Sequence, residues 1–189
     1  MTTVDFAILN FIAAHLHSEV PDFVMPFISS LGSGCLVWFA AAAVLLMMRQ
    51  TRPAGAALLL ALVFSLAACD LVIKPLVARP RPFEVNTAMR LLIPPPGGWS
   101  FPSGHTSAAF AATAALYKSR RPLLWRAAFV LAVLIAFSRL YLYVHYPTDV
   151  LAGALVGLTA GHVGYRSLPC LEAVRRRRNP PFPPANRPD

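Results

Sequence analysis

Charge is what this chain has least of. Asp, Glu, Lys and Arg make up 13% of its 189 residues, against roughly 25% in an average soluble domain. Hydrophobic residues account for 57%, and the mean hydropathy is +0.57. Together these values exclude an ordinary soluble domain and point to a polytopic membrane protein of packed helices. Cysteine is nearly missing as well. Cys35, Cys69 and Cys170 are too widely spaced for a metal motif and lie in or beside apolar runs, so they read as small buried hydrophobes. No lysine or arginine precedes the first apolar stretch, so a cleaved signal peptide is not expected. No long-period repeat is present.

What is there is an excess of basic residues, 17 against 8 acidic, for a net charge of +9. Nucleic acid is not the expected partner, because the basic residues cluster in short inter-helix segments and in a C-terminal tail. Apolar segments run over 4–20, 26–48, 54–77, 104–118, 123–142 and 148–166. The expected architecture is therefore an all-α membrane bundle of about six transmembrane helices. The first segment, interrupted by Asn10, His15 and His17, fits either a short span or a helix lying in the interface. Gly153, Gly157 and Gly161 make a row of small residues that permits close helix packing.

Residues 1–168 are expected to form the membrane domain. Residues 169–189, with Arg175 to Arg178 followed by NPPFPPANRPD, read as a basic, disordered tail whose arginines fix topology and touch anionic headgroups. If six helices alternate, one face collects 12 of the 17 basic residues and should be cytoplasmic. The plasma (inner) membrane is the expected location, with the C-terminus inside.

The other face holds Lys74, Arg79, Arg81, Arg90 and Arg139. These few cations recur at helix ends beside other polar groups: KPLVARPRP from 74, FPSGHTS from 101 and SRLYLYVHYPTD from 138. Lysine and arginine neutralise phosphoryl oxygens, and the guanidinium fork suits them geometrically. PSGHTS opens a helix, with Ser103 as N-cap and Gly104 allowing close backbone approach, and N–H groups there bind anions. His145 and Asp149 are four residues apart, so the carboxylate can hold one ring nitrogen and leave the other free to attack. His105 can protonate a leaving oxygen. Singly, each group has a structural reading too. Arg139 and Asp149 suit helix dipoles, His105 suits a cap, and Lys74 pairs with Asp70 at i−4. One phosphate site explains them jointly.

The motifs K-x6-RP (Lys74, Arg81, Pro82), PSGH (Pro102 to His105) and SR-x5-H-x3-D (Ser138, Arg139, His145, Asp149) resemble the type-2 phosphatidic acid phosphatase superfamily. That family includes membrane lipid phosphate phosphatases, undecaprenyl pyrophosphate phosphatases and soluble vanadium haloperoxidases. The resemblance implies a metal-independent, cofactor-free hydrolase acting on a lipid phosphate or diphosphate at the outer leaflet. It implies His145 as nucleophile, oriented by Asp149, and His105 as general acid and then base. Lys74, Arg81, Arg139, Ser103 and Gly104 would grip the phosphoryl group, with Arg79 a weaker phosphate ligand. The compact chain resembles the bacterial undecaprenyl pyrophosphate phosphatases. A phosphatidate or phosphatidylglycerophosphate phosphatase is the alternative, and a non-enzymatic transporter or scaffold with a vestigial site a remote one. Residues 83–101 join two motifs and read as a lid, where Arg90 would meet a second phosphate.

Overall fold

A computed structural model of the chain describes residues 3–119 and 122–178. Arg120, Arg121 and the tail from residue 179, which the sequence reading counts as cytoplasmic or disordered, lie outside the described residues.

Every regular element among the described residues is helical. Helix α1 spans Thr3–His15, α2 Glu19–Leu31, α3 Leu36–Met47 and α4 Arg52–Leu66. A π-helical stretch, Ala67–Ile73, carries α4 into the short α5, Lys74–Val77. The single turn α6 (Pro82–Val85) leads into a loop, then follow α7 (Gly104–Lys118), α8 (Pro122–Tyr141) and α9 (Pro147–Arg178). The segments expected over 54–77, 104–118 and 123–142 are thus present with nearly those limits.

Two expectations change. The run 26–48 is not one straight helix but α2 and α3, bent by 48°. The break falls at LGSGC, where Gly34 and Cys35 adopt left-handed backbone (φ 58° and 57°), a conformation that glycine tolerates and that ends a helix. The last helix does not stop near residue 166; it continues through Pro169 to Arg178.

Among the described residues, two helical segments are long and apolar enough to cross a bilayer, Arg52–Val85 and Pro122–Tyr141, with the bent α2–α3 pair a third. Large apolar side chains such as Leu36, Met47, Leu71, Leu76, Leu123 and Leu151 stand exposed around the bundle. A soluble monomer rarely tolerates so broad an apolar surface.

Helix α7 forms the centre and packs most extensively on α9, then on α8 and α4. Its Ala108, Ala109, Ala111, Ala112 and Ala115 are buried together with Ala57 and Ala61 of α4 and Ala132 of α8. Where these alanines face one another only methyl groups separate the backbones, which approach closely, as membrane helix packing favours. The glycine row on α9 completes that seam. A Cβ on Gly153 would stand 2.6 Å from the Ser103 carbonyl oxygen, and one on Gly157 would overlap the Ser107 carbonyl. The seam therefore fixes how the N-terminal ends of α7 and α9 meet.

Gly157→Ala should lower stability by about 2 kcal/mol, the scale of overpacking a tight core, read as a lower melting temperature in detergent. Thr159→Ala, on the exposed face of α9, should stay within about 0.5 kcal/mol of wild type. Equal effects would show that the seam is loosely packed.

Candidate active site

The three motifs converge at one end of the bundle because of how their helices begin and end. The π-helical stretch before Lys74 shifts the helical register, a device common at functional sites. It leaves Lys74 bonded to Asp70 Oδ1 at 2.5 Å and aims its Nζ at the start of α7, 3.5 Å from where a Cβ on Gly104 would lie. Ala78 ends α5 in left-handed backbone, and the chain turns so that Arg81 points inward and is buried.

Arg81 organises the centre of the site. Its Nε and Nη2 donate to the carbonyls of Gly98 and Gly97, at 2.9 Å and 3.0 Å. Its Nη1 donates to the Val144 carbonyl at 3.0 Å and stands 3.3 Å from His145 Nε2. A guanidinium only donates, so Nε2 must present its lone pair and the ring proton must sit on Nδ1. That is the tautomer a nucleophilic Nε2 requires.

His145 lies in the turn between α8 and α9. The turn is tight, with Tyr143 at φ 58° and Val144 N–H donating to the Arg139 carbonyl at 3.2 Å. His145 Nδ1 is 3.5 Å from Asp149 Oδ2, beyond ordinary hydrogen-bond length, so the expected His–Asp pair is in register but not closed. Asp149 is held independently. Its Oδ2 accepts from Ser100 Oγ at 2.5 Å and from Tyr146 N–H at 2.9 Å. Burial pushes the His145 imidazole down to about 4, Asp149 opposing and the charges of Arg139 and Arg81 adding to the depression. The side chain is therefore neutral, hence nucleophilic, at neutral pH.

Helix α7 begins as its sequence dictates. Ser103 Oγ accepts from Thr106 N–H at 3.4 Å and from Thr106 Oγ1 at 2.9 Å, capping the helix. Ser103 N–H donates to the Asp149 carbonyl at 3.0 Å, tying the two motifs together. His105 follows, half-buried, within electrostatic range of Arg139, His145, Lys74 and Arg81. The turn after α2 passes so closely that a Cβ on Gly32 would lie 2.8 Å from the His105 ring. Arg139, buried at the end of α8, donates to Ser29 Oγ, while its Nε finds no acceptor among the described residues.

His105 and Arg139 open on a cavity of about 300 Å³. Its other walls are Pro26, Ser29, Ser30 and Ser33 from α2 and the following turn, with Ile93, Pro94 and Pro96 from the 83–101 loop. Ile93, Pro94 and Pro96 bring that loop to the cavity wall, whereas Arg90 is exposed and lines none of this cavity. No group of three or more His, Cys, Asp or Glu side chains among the described residues is arranged to hold a metal ion.

Lys74, Arg81, Ser103, Gly104, His105, Arg139, His145 and Asp149 are thus brought together. Of these, His105 and Arg139 line the cavity; Arg79 stands behind the cluster, its guanidinium held by Asp5, Thr148 and Asp149. Sequence reasoning missed Asp5, Ser100 and the serines of α2. Asp5 carried a signal, because it is the one carboxylate in the apolar helix α1, and such residues are rarely idle.

The fold and the cluster define a helical membrane bundle with a cationic, two-histidine cluster at one end. Residues 54–170 match the model of the PAP2 superfamily, and the chain belongs to that family. It is 34% identical over 134 residues to an undecaprenyl-diphosphatase of Sulfolobus acidocaldarius, covering 71% of this chain and 64% of that one. It is 37% identical over 87 residues to the undecaprenyl-diphosphatase BcrC of Bacillus subtilis, covering 46% and 44% of the two chains. The chain therefore spans less than two thirds of either relative. A crystal structure of a transmembrane PAP2-type phosphatidylglycerolphosphate phosphatase from Bacillus subtilis is similar, with a TM-score of 0.70 and 25% identity. The likeness covers 96% of this chain and 88% of that one.

Histidine NMR of the detergent-solubilised protein should find the His145 imidazole, identified by its loss in His145→Gln, neutral down to about pH 4. A His145 that titrates near its ordinary value of roughly 6.5 would contradict the burial described here.

Proposed function

We propose that this protein is an integral membrane lipid phosphatase that removes a phosphoryl group through a phosphohistidine intermediate, without a metal ion. The observation that carries the reading is the contact of Arg81 Nη1 with His145 Nε2 at 3.3 Å, which sets a lone pair beside a phosphate-binding guanidinium. In the first step Nε2 forms a bond to phosphorus, and the bond from phosphorus to the leaving oxygen breaks. That oxygen takes the proton of His105. In the second step a water molecule gives a proton to His105 and attacks phosphorus. The P–N bond breaks, phosphate departs and both histidines return to their starting states.

Lys74, Arg81 and Arg139 balance the charge on the phosphoryl oxygens, with Ser103 and the Gly104 backbone as further donors. Asp149 faces the ring nitrogen that becomes positive as the intermediate forms.

The membrane arrangement is part of the proposal. We read six crossing segments, with the bent α2–α3 pair as one of them. Helix α7 starts at the site and ends at Lys118, and α8 returns from there to Arg139. Arg49, Arg52, Lys118, Arg126 and Arg166 then lie toward the end opposite the site, which is the cytoplasmic end, and the site opens to the outer leaflet. The preferred substrate is undecaprenyl diphosphate, supported by the two undecaprenyl-diphosphatase relatives. The likeness to a phosphatidylglycerolphosphate phosphatase makes that lipid, with phosphatidate, the second candidate.

The test is phosphate release by detergent-purified protein in EDTA, with a prenyl diphosphate, phosphatidate and phosphatidylglycerophosphate as substrates. Release should be fastest from the prenyl diphosphate, indifferent to EDTA, and at least about 10³-fold slower in His145→Ala. Loss of activity in EDTA, no release from any substrate, or an active His145→Ala protein would reject the mechanism. A preference for a glycerolipid would reject only the substrate.

A further inference from the structure

Helix α1 lies outside the segment that matches the family, residues 54–170. Yet its one carboxylate, Asp5, is 2% exposed and engages the back of the candidate site. Asp5 Oδ1 accepts from the Thr148 N–H at 3.2 Å, at the first turn of α9. Its Oδ2 accepts from Thr148 Oγ1 at 2.9 Å and from Arg79 Nη2 at 2.8 Å. Arg79 passes the connection on, since its Nη1 donates to Asp149 Oδ1 at 2.5 Å and to Thr148 Oγ1 at 2.7 Å. The guanidinium lies 3.8 Å over the Tyr146 ring. Phe6 of α1 meets the same ring edge-on, with centroids 5.4 Å apart. One cation is therefore shared between two buried carboxylates, and one of these faces the nucleophilic histidine.

We propose that Asp5 and Arg79 are positioning residues for the His145–Asp149 pair, a role that rests on the phosphohistidine mechanism proposed above. Arg79 fixes Asp149 by Oδ1, which leaves Oδ2 turned to the imidazole. Alone, a full guanidinium charge at 2.5 Å would neutralise the carboxylate it holds. Asp5 shares that charge, so the Asp5–Arg79–Asp149 cluster keeps a net charge of about −1 at neutral pH. The imidazole becomes positively charged when Nε2 bonds to phosphorus, and the residual negative charge behind it stabilises that state. The other groups facing His145 are Arg81 from the segment after α5, Arg139 from α8 and His105 from α7. All of them are cationic or neutral, so the support comes from the Asp149 side. Helix α1 is in this view part of the catalytic apparatus and not only a membrane element.

The sign of each substitution separates this role from a merely structural one. Asp5→Asn keeps the shape and removes a negative charge, so Arg79 acts on Asp149 undivided. We expect kcat to fall about tenfold with KM within about twofold, and the His145 titration followed by NMR to move to lower pH. Arg79→Gln removes a positive charge, so the His145 titration moves to higher pH while kcat again falls. If Arg79→Gln does not fold, Asp5→Asn carries the test alone. An unchanged kcat in Asp5→Asn, or a His145 titration that moves upward or not at all, overturns the proposal. Wild type and His145→Ala assayed alongside keep the two claims apart. An inactive wild type defeats the phosphatase reading and leaves the NMR shifts to judge this one, whereas an active wild type with an unaffected Asp5→Asn defeats only the role of Asp5.

Discussion

Asp149 has 0% of its surface exposed, and withdrawing an ionised carboxylate from water costs several kcal/mol unless donors surround it. Most of the site's construction follows from meeting that requirement. The donors come from distant parts of the chain: Arg79 after α5, Ser100 at the end of the loop, and the Tyr146 N–H from the turn before α9. Asp5 then satisfies the remainder of Arg79. A single buried charge thus ties helix α1, the arginine segment, the loop and α9 to one point. The Asp149 backbone extends the same knot, its carbonyl accepting from Ser103 N–H at the start of α7. His145 sits between this anionic knot, with Asp149 Oδ2 3.5 Å from its Nδ1, and the guanidinium of Arg81, 3.3 Å from its Nε2.

Packing sets how accurately the knot closes. The glycines and alanines between α7 and α9 hold the two backbones in contact, so the N-terminal ends that bear Ser103 and Asp149 cannot slide past each other. Away from that seam the bundle presents large apolar side chains outward, which only a lipid environment accommodates. The polar cluster lies at one end of this apolar bundle, where the proposed lipid phosphate would meet water. The cavity beside His105 and Arg139 is walled by serines together with prolines and Ile93.

Much of this was legible in the sequence because the chemistry is local in it. PSGH and H-x3-D place their groups within a turn or two of each other, and scarcity of charge made each cation conspicuous. Helices α7 and α8 were readable from their apolar runs, α7 also from Ser103 as its N-cap. The break in α2–α3 was harder, since a glycine pair inside an apolar run is also compatible with a straight membrane helix. The role of Arg79 was not legible. An arginine two residues before a phosphate ligand looks like another phosphate ligand, and only the fold brings Asp5, Thr148 and Asp149 to it. Arg90 shows the converse: a charge in the loop between two motifs need not enter the site, because the loop's hydrogen bonds to Arg81 and Asp149 come from Gly97, Gly98 and Ser100.

The central claim is that His145 forms the bond to phosphorus, and trapping that bond tests it most directly. The purified protein would be mixed with a prenyl diphosphate carrying a labelled terminal phosphate, quenched in alkali within the first turnover, digested and read by mass spectrometry. The account predicts a single alkali-stable, acid-labile phosphoryl group on His145, absent when His145 is replaced by alanine. Rapid product formation with no labelled peptide, or with the label on His105, would contradict it.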